Sequence, residues 1–389
     1  MNHPTVRLPA EMRVLIVGGG IAGLTLGALL KQQGMRPEIV ERTHRYGGVG
    51  YVLSLWPAGA DILKGLGLYP ALAAAGLPGA NFEICGQGGR LLHRSSFAGV
   101  EERFGSAFLI ERSRLLEILR AGADGLGLRM GVSVDGLDQR GDEVRVAFSD
   151  GTHGTYDLVV GADGLRSRVR ELIFGPVRPR YMGLTGWAFW LPPALLPEGT
   201  VREYWGAGRF VGLYPAPGAL CGFVAAPAPE GTPDPAEGRL ARLRATFARF
   251  GGVVPEALAA LDDPRRIWHD DFLDLRMPTW HRGRVVLLGD SAHAMLPTAG
   301  IGASMAMESA AVLADELART DSRYVGRALE RFHARRKPRV DKVQRESRLL
   351  GKTIEMTSPA AVAIRDALMR RAPQATLSRA FARLLQGPI

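Results

Sequence analysis

The sequence has very little cysteine: its 389 residues include only Cys85 and Cys221, which lie far apart and follow no metal-ligand spacing. This scarcity argues against a disulfide framework and favours a reducing compartment. Internal repeats and low-complexity tracts are also missing. With 46% hydrophobic and 23% charged residues, the composition is typical of a globular protein large enough for two or three packed units.

Long hydrophobic runs are scarce as well. The uncharged run at residues 14–30 spans about 17 residues, which is the lower limit for crossing a bilayer, and it contains several glycines. The first 13 residues contain Arg7, Glu11 and Arg13 and no apolar segment, so they do not resemble a signal peptide. We therefore expect a cytoplasmic protein without stable membrane insertion.

Acidic residues are in the minority, and the net charge is +10. Much of the excess lies in one late series at four-residue intervals: Arg319, Arg323, Arg327, Arg331, Arg335 and Arg339. This spacing keeps side chains near one helix face. We interpret the series as a solvated face, with a patch that attracts an anionic dinucleotide as the alternative. Because no nucleic-acid motif or interleaved aromatics accompany it, no nucleic-acid partner is expected.

A glycine-rich turn near the start is the first motif with chemical meaning. The sequence GGGIAG at residues 18–23 follows a short aliphatic run and opens a helical pattern. In this context Gly18 permits a tight turn, Gly20 brings backbone N–H groups close to a pyrophosphate, and Gly23 lets the helix pack on the strand. Glu41 ends the next strand, where its carboxylate can accept hydrogen bonds from ribose hydroxyls. The motif predicts a dinucleotide without choosing between FAD and NAD.

Two further motifs end predicted strands later in the chain. Gly-Ala-Asp-Gly occupies residues 161–164, and Gly-Asp-Ser-Ala-His occupies residues 289–293, followed by Pro297 and Gly300-Ile301-Gly302. A carboxylate at the carboxyl end of a strand lies where α/β sheets bind ligands. The later glycines let the backbone approach a flat ligand, and the positive end of the helix that follows can stabilise charge on a reduced ring.

Together, these three motifs, in this order and at these spacings, resemble the class A, single-component FAD-dependent monooxygenases, the family of para-hydroxybenzoate hydroxylase and salicylate hydroxylase. The resemblance covers roughly residues 12–345 and extends to Glu41-Arg42, Arg112 and Trp280. It implies an α/β fold with a Rossmann-like FAD-binding domain, an inserted antiparallel-sheet substrate domain and C-terminal helices. It also implies non-covalent FAD, NAD(P)H as co-substrate, and O₂ that reaches a small-molecule substrate through a flavin C4a-hydroperoxide, by hydroxylation or epoxidation.

The resemblance also implies roles for the matching residues. Glu41 would hold the adenosine ribose, Arg112 the pyrophosphate or ribityl region, and Asp290 the ribityl chain, while Asp163 would organise the cleft. The full implied cofactor set is Gly18, Gly20, Ile21, Ala22, Gly23, Glu41, Arg42, Arg112, Asp163, Gly289, Asp290, Pro297, Gly300, Gly302 and Ala303. Since the cofactor performs the difficult chemistry, no side chain is assigned as a certain catalyst. The loop with Pro297, Gly300 and Gly302 would face the flavin, and His293 is a structural position in the family.

A strand-rich segment between the dinucleotide motifs predicts a discontinuous domain layout. We assign residues 1–78, 96–180 and 264–350 to the FAD-binding domain, 79–95 and 181–263 to the sheet domain, and 351–389 to C-terminal helices. Alternation within the inserted strands predicts three same-face pairs: Trp187 with Phe189, Phe210 with Tyr214, and Arg202 with Tyr204. We expect these residues to line a pocket for a planar, largely apolar aromatic or polycyclic compound; the alternative is a packed core.

Three other functions stay open at this point. A flavin halogenase is suggested by the tract at residues 187–192, although Phe189 replaces its second tryptophan and Lys64 is a poor match for its lysine. An FAD dehydrogenase or oxidase is suggested by Ile301 and Ser304, where the family commonly carries Gln and Asn, and by Ala58 in place of Asn. A non-enzymatic flavin-binding or partner-regulating protein is supported only by the basic helix.

Overall fold

Strand and helix patterns alternate along the chain, and the computed structural model describes residues 8–47, 50–79, 81–96 and 98–386. The strands are β1 (Val14–Val17), β2 (Glu38–Glu41), β3 (Val52–Leu55), β4 (Leu77–Pro78), β5 (Asn81–Gly86), β6 (Leu91–Ser96), β7 (Phe108–Glu111), β8 (Gly127–Met130), β9 (Val134–Arg140), β10 (Glu143–Phe148), β11 (His153–Tyr156), β12 (Leu158–Gly161), β13 (Arg180–Leu191), β14 (Thr200–Trp205), β15 (Phe210–Ala216), β16 (Ala219–Pro227), β17 (Trp268–Asp274), β18 (His281–Arg282) and β19 (Val285–Leu287). The helices are α1 (Ile21–Gln32), α2 (Pro57–Gly65), α3 (Tyr69–Ala75), α4 (Ala98–Phe104), α5 (Arg112–Gly122), α6 (Arg168–Phe174), α7 (Arg239–Thr246), α8 (Val254–Ala259), α9 (Asp290–His293), α10 (Gly302–Ala318), α11 (Val325–Ile354), α12 (Pro359–Arg371) and α13 (Ala375–Leu385).

A six-stranded sheet in the order β18-β19-β12-β1-β2-β8 carries the dinucleotide motifs. Its strands are parallel except for β18, which pairs antiparallel with β19. All four residues of β1 are aliphatic and buried, as expected for a parallel strand covered on both faces. The helix α1 packs against α5 and α10. Because the strands are parallel, their carboxyl ends meet at one edge, where the predicted motifs follow.

A seven-stranded sheet in the order β17-β13-β16-β15-β14-β5-β6 forms the second unit. Its neighbours are antiparallel except for the parallel pair of β14 with β5. The helices α7 and α8 cover one face, where Leu243, Phe247 and Leu258 pack in a cluster with the sheet. Since β17 pairs in this sheet although it follows the limit predicted at residue 263, we propose that the inserted unit extends to Asp274. The predicted outer limits at residues 1 and 389 lie outside the described residues.

The late helices pack across both units. The 30-residue helix α11 lies along α10, while α12 and α13 contact β6. Within the described residues, no helix combines the length and the apolar character needed to cross a membrane.

The arginine series mostly binds helix α10 and is only in part the solvated face that we expected. Arg331 and Arg335 form ion pairs with Glu316 at 2.7 Å. Arg339 binds Glu308 at 2.6 Å, and the neighbouring Arg336 binds the same carboxylate at 3.0 Å. The Glu308, Arg336 and Arg339 side chains are buried, because α11 presses this face of the helix against α10.

We expect Glu308→Gln to lower the free energy of unfolding by about 3–5 kcal/mol, since it leaves two buried guanidinium groups without their counter-charge. The exposed pair of Arg319 with Asp315 is the matched control. Arg319→Ala should cost less than about 1 kcal/mol, as exposed ion pairs do. Urea unfolding followed by circular dichroism measures both changes. Equal, small losses for the two variants would contradict a structural role for Glu308.

Candidate active site

Two cavities follow the carboxyl edge of the parallel sheet. The larger, of about 420 Å³, reaches the seven-stranded sheet, and the smaller, of about 380 Å³, lies along the glycine-rich turn. Both are lined by Gly20, Arg112, Ala162 and Gly164, so they adjoin. A single elongated ligand can therefore extend from the turn to the sheet.

Backbone segments approach each other too closely at the glycine-rich turn for most side chains. Gly18 has a φ of +112°, and a Cβ atom there would collide with the carbonyl oxygen of Ala162. A Cβ atom at Gly23 would collide with the carbonyl oxygen of Gly18, which lets α1 start directly against β1. At Gly20, by contrast, an added Cβ would meet no atom of the described residues within 4 Å. The open space at the amino end of α1 therefore fits a pyrophosphate.

Glu41 is held at the wall of the smaller cavity. The Gly19 N–H donates to one carboxylate oxygen at 2.8 Å, and Thr43 donates to the other through its N–H at 2.9 Å and its hydroxyl at 3.1 Å. Tyr46 donates to the Gly19 carbonyl at 2.9 Å, and burial together with Glu41 raises the pKa of this phenol to about 12. A carboxylate offers about four acceptor positions, so capacity remains for ribose hydroxyls. Arg42 lines the same cavity.

The side chains of Arg112 and Asp290 line the larger cavity. The Arg112 backbone N–H donates to Tyr51 at 3.0 Å, which fixes the start of α5. Within the described part of the chain, neither its guanidinium nor the Asp290 carboxylate has a hydrogen-bond or ion-pair partner. Burial raises the pKa of Asp290, while the nearby Arg112 charge lowers it. Charged groups that reach into a cavity without partners fit a ligand with both phosphate and hydroxyl groups.

The Asp163 carboxylate, unlike that of Asp290, accepts hydrogen bonds from the protein itself. Ser167 donates to it at 2.6 Å and the Val169 N–H at 3.0 Å, and burial raises its pKa. These bonds tie the loop after β12 to the start of α6. They hold Gly164 where it lines both cavities.

The loop before α10 contains the predicted glycines, and its other residues bind Trp56 or pack in the core. Gly300 has a φ of +59°, and Trp56 donates from its ring N–H to the Gly300 carbonyl at 3.1 Å. Ser304, which replaces the family's polar Asn, is buried and accepts the Trp56 backbone N–H at 2.9 Å. Ile301 is buried in the core. Pro297, Gly300, Gly302 and Ala303 line the larger cavity.

Gly289 adopts a φ of +66°, and a Cβ atom there would lie 2.9 Å from the Ala22 side chain. The two motifs therefore meet: Ile21 and Ala22 of α1 and Asp290 of α9 line the larger cavity together. His293, on the same short helix as Asp290, lies elsewhere. Its ring is buried 3.1 Å from the Ser309 hydroxyl, and burial together with Arg336 lowers its pKa to about 3.

Most of the predicted substrate residues lie on the wrong face of the inserted sheet. Trp187, Phe189 and Tyr204 pack in the cluster that the sheet forms with α7 and α8. Arg202 binds Glu83 at 2.7 Å on that same face. The pairs predicted from alternation do share faces, but helices cover the face that we assigned to the substrate. These four residues are therefore not part of the cavity wall.

Tyr214 lines the larger cavity, and Phe210 lies on the same sheet face, where its ring centroid is 6.5 Å from that of Phe223. The sequence analysis missed other residues of this wall: Phe82, Val201, Glu203, Trp205 and Phe223 from the sheet, and Phe381 from helix α13. The alternation of β14 already places Val201, Glu203 and Trp205 on one face; only the choice of face was wrong. The Phe381 ring, on helix α13, stacks on the Trp56 ring, and their centroids are 4.9 Å apart. Because the two residues are far apart in sequence, no local pattern indicates this contact.

Glu203 is the acidic group of this wall. Tyr214 donates to one of its carboxylate oxygens at 2.8 Å, and the Trp205 ring N–H donates to the other at 2.9 Å. Burial raises the pKa of Glu203 to about 7, against the effect of these two hydrogen bonds. The larger cavity thus combines aromatic walls with one ionisable carboxyl group on the sheet side.

Comparison with known proteins agrees with this geometry. The sequence matches the FAD binding domain family over residues 11–189 and 257–347. The 2-heptyl-3-hydroxy-4(1H)-quinolone synthase of Pseudomonas aeruginosa is 32% identical over 384 residues, covering 97% of this chain and 98% of the relative. Aurachin C monooxygenase/isomerase of Stigmatella aurantiaca is 33% identical over 367 residues, covering 92% and 94%. The structure of Klebsiella pneumoniae HpxO with FAD and uric acid matches with a TM-score of 0.90 and 26% identity, covering 97% of this chain and 98% of that one.

These matches confirm the expected fold and the FAD cofactor, with the NAD(P)H electron donor typical of the family. They also support oxygen insertion and give no support to the halogenase and dehydrogenase alternatives. The chain belongs to the FAD binding domain family and is a class A FAD-dependent monooxygenase.

Proposed function

We propose that the protein hydroxylates a planar, largely apolar aromatic or N-heterocyclic compound with NAD(P)H and O₂. The observation that carries this proposal is the aromatic wall of the larger cavity, formed by Phe82, Trp205, Tyr214, Phe223 and Phe381. The names of two similar proteins support it, since one is a quinolone synthase and the other was solved with uric acid. Quinolones and uric acid are both bicyclic heterocycles. When bound, FAD supplies the transfer of electrons from NAD(P)H and the activation of O₂.

The cofactor residues then have distinct tasks. We propose that non-covalent FAD lies along both cavities, with its adenosine ribose at Glu41 and its pyrophosphate over Gly20. Arg112 would neutralise phosphate charge, and Asp290 would accept hydrogen bonds from the ribityl hydroxyls. The support is that Arg112 and Asp290 have no other partner in the described residues, and that Gly20 leaves open space.

The substrate residues mainly bind and exclude water. The rings of Trp205, Phe223 and Phe381 form an apolar slot that orients a flat ring and keeps water from the reacting atoms. Holding the target carbon in near-attack geometry can lower the barrier by about 7–11 kcal/mol. We also propose a cytoplasmic location, consistent with two buried free cysteines, and no nucleic-acid partner.

Gly20→Val tests the pyrophosphate site. A Cβ atom at this position lies more than 4 Å from the described residues that are not its chain neighbours, so we expect a folded protein, but the new side chain occupies the space proposed for the pyrophosphate. The variant should purify without bound FAD, as measured by absorbance and by chromatography of the heat-released nucleotide. Gly65→Val is the matched control, because Gly65 also has no atom near its Cβ position and lies away from both cavities. FAD retention by Gly20→Val equal to that of the control would refute the assignment.

Asp290→Ala tests the ribityl site. Truncation removes a charged acceptor from the cofactor hydroxyls, which costs about 1.5–3 kcal/mol or roughly a tenfold to hundredfold loss of FAD affinity. His293→Ala, on the same helix but outside both cavities, is the control and should bind FAD more tightly than Asp290→Ala does. Titration of the apoprotein with FAD measures both. Equal affinities would show that Asp290 does not hold the cofactor.

Turnover with a compound panel tests the reaction itself. We expect 2-alkyl-4(1H)-quinolones, phenols or aromatic acids to accelerate NAD(P)H oxidation, and the product mass to rise by about 16 daltons, the mass of one oxygen. Small acyclic polar compounds should not stimulate turnover, because they leave the aromatic slot unfilled. Stimulation by the acyclic compounds alone, or halide in the product, would contradict the proposal.

A further inference from the structure

Glu203 has no role in the function proposed above, yet it lies on the substrate wall. Glu203 is only 8% exposed to solvent and lines the larger cavity. Its two hydrogen-bond donors, Tyr214 and Trp205, belong to the same sheet and hold the carboxyl group in one orientation. A carboxylate has acceptor capacity beyond two bonds. A ligand in the cavity can therefore approach an oriented acceptor.

The charge of Glu203 is not balanced by the protein. Both partners are neutral, and no Lys, Arg or His within the described residues forms an ion pair with it. Burial of a carboxylate without a cation is costly. Natural cores seldom keep such a group at an apolar wall, where a glutamine or a leucine would cost less. A ligand that donates a hydrogen bond or a proton would relieve this cost.

We propose that Glu203 is a catalytic residue that accepts a hydrogen bond, and then the proton, from a ring N–H or phenolic O–H of the substrate. The inference rests on the proposed function and narrows its substrate class. The substrate is then an aromatic compound whose N–H or O–H is conjugated with the carbon that is oxidised. Aromatic hydrocarbons and fully alkylated heterocycles are excluded from efficient turnover.

The chemistry of electrophilic oxygenation explains the need for such a group. When the O–O bond of the O₂ that NAD(P)H has reduced breaks, one oxygen bonds to the ring carbon as a hydroxyl group and the other leaves as water. Positive charge spreads over the ring and the conjugated N–H or O–H becomes acidic. That bond breaks, its electron pair stays in the ring, and a new O–H bond forms on the Glu203 carboxylate. The attacked carbon then loses its C–H proton and the ring nitrogen or oxygen regains a proton, which restores the aromatic ring. Loss of the proton from Glu203 to solvent restores the carboxylate. A general base works best when its pKa lies near the ambient pH, as burial arranges for Glu203.

Two other ionisable groups near Glu203 titrate far above neutral pH. Burial raises the pKa of Tyr214 on β15 well above its ordinary value and that of Cys221 on β16 to about 12. Arg365 of α12 lies behind Trp205, where it donates to backbone carbonyls. Asp290, whose pKa burial raises, lines the cofactor side of the cavity together with Arg112. Since Asp290 is also a carboxyl group, a variant at Glu203 is needed to assign any titration.

Binding of matched probes to the FAD-loaded enzyme tests recognition without relying on turnover. The probes are 2-heptyl-4(1H)-quinolone with its N-methyl counterpart, and a phenol with its methyl ether, each titrated by the change in flavin absorbance. We expect at least one donor compound to bind about tenfold or more tightly than its methylated partner. Glu203→Met should abolish this preference, whereas Glu203→Gln, which keeps an acceptor oxygen, should retain part of it. Equal binding within both pairs, or no binding of any probe, overturns the proposal.

The pH profile tests proton acceptance. In the wild type, kcat/KM should fall about tenfold per pH unit below an apparent pKa near 7, because Glu203 must be ionised to accept the proton. Glu203→Gln should lower kcat about a hundredfold or more and remove this acid limb. Tyr214→Phe should shift the limb to higher pH, since it removes a hydrogen bond that favours the carboxylate. An unchanged kcat and acid limb in Glu203→Gln overturn the proposal.

The two proposals fail in different ways. If the wild type shows the donor preference but yields no oxygenated product, the proposed function is wrong and recognition by Glu203 stands. If products gain oxygen while every Glu203 variant keeps the wild-type donor preference and pH profile, the function stands and the role of Glu203 is wrong. Circular dichroism and FAD content confirm that each variant is folded.

Discussion

Backbone contact at the carboxyl edge of the parallel sheet determines the geometry of the whole site. Gly18 lies against the Ala162 carbonyl, Gly23 lies against Gly18, and Gly289 lies against Ala22. These approaches bring the ends of three strands and the starts of two helices to within van der Waals contact. Because side chains are excluded there, the part of each cavity that borders this edge is shaped by the main chain, which varies little with the rotamers around it. Any larger residue at these glycines must move a strand.

The late helices extend this frame to the substrate side. Glu308 binds two buried arginines and thereby fastens α11 to α10, the helix that begins at the flavin-facing loop. The chain then continues to α13, where Phe381 stacks on Trp56 and its ring centroid lies 6.5 Å from that of Phe82; all three residues line the larger cavity. A wall of the substrate pocket therefore depends on an ion-pair network at a different helix pair.

The residues proposed to hold the cofactor are encoded in short segments, so local patterns are enough to bring them together at one edge of the sheet. Gly18 to Gly23 specify turn, helix start and phosphate space within one stretch, and Asp290 follows its strand directly. The substrate half depends on tertiary packing. Alternation correctly paired Trp187 with Phe189, yet the position of α7 and α8 decides which face is covered. Phe381 and the buried Arg339 depend on contacts between elements far apart in sequence, which no single segment records.

The two halves of the site also differ in how they select ligands. Apolar walls discriminate weakly, because one methylene group in a hydrophobic pocket changes the free energy by only about 1–3 kcal/mol. A buried polar group discriminates far more strongly, since an analogue that lacks the matching donor leaves it unpaired, and rejection by a factor of about 10⁴–10⁵ is attainable. Phe223 and Trp205 therefore set the shape of acceptable rings, whereas a buried acceptor such as Glu203 sets their chemistry. A change in substrate within this fold is accordingly achieved at lowest cost by exchanging one polar residue on the pocket face of β14, with the aromatic wall retained.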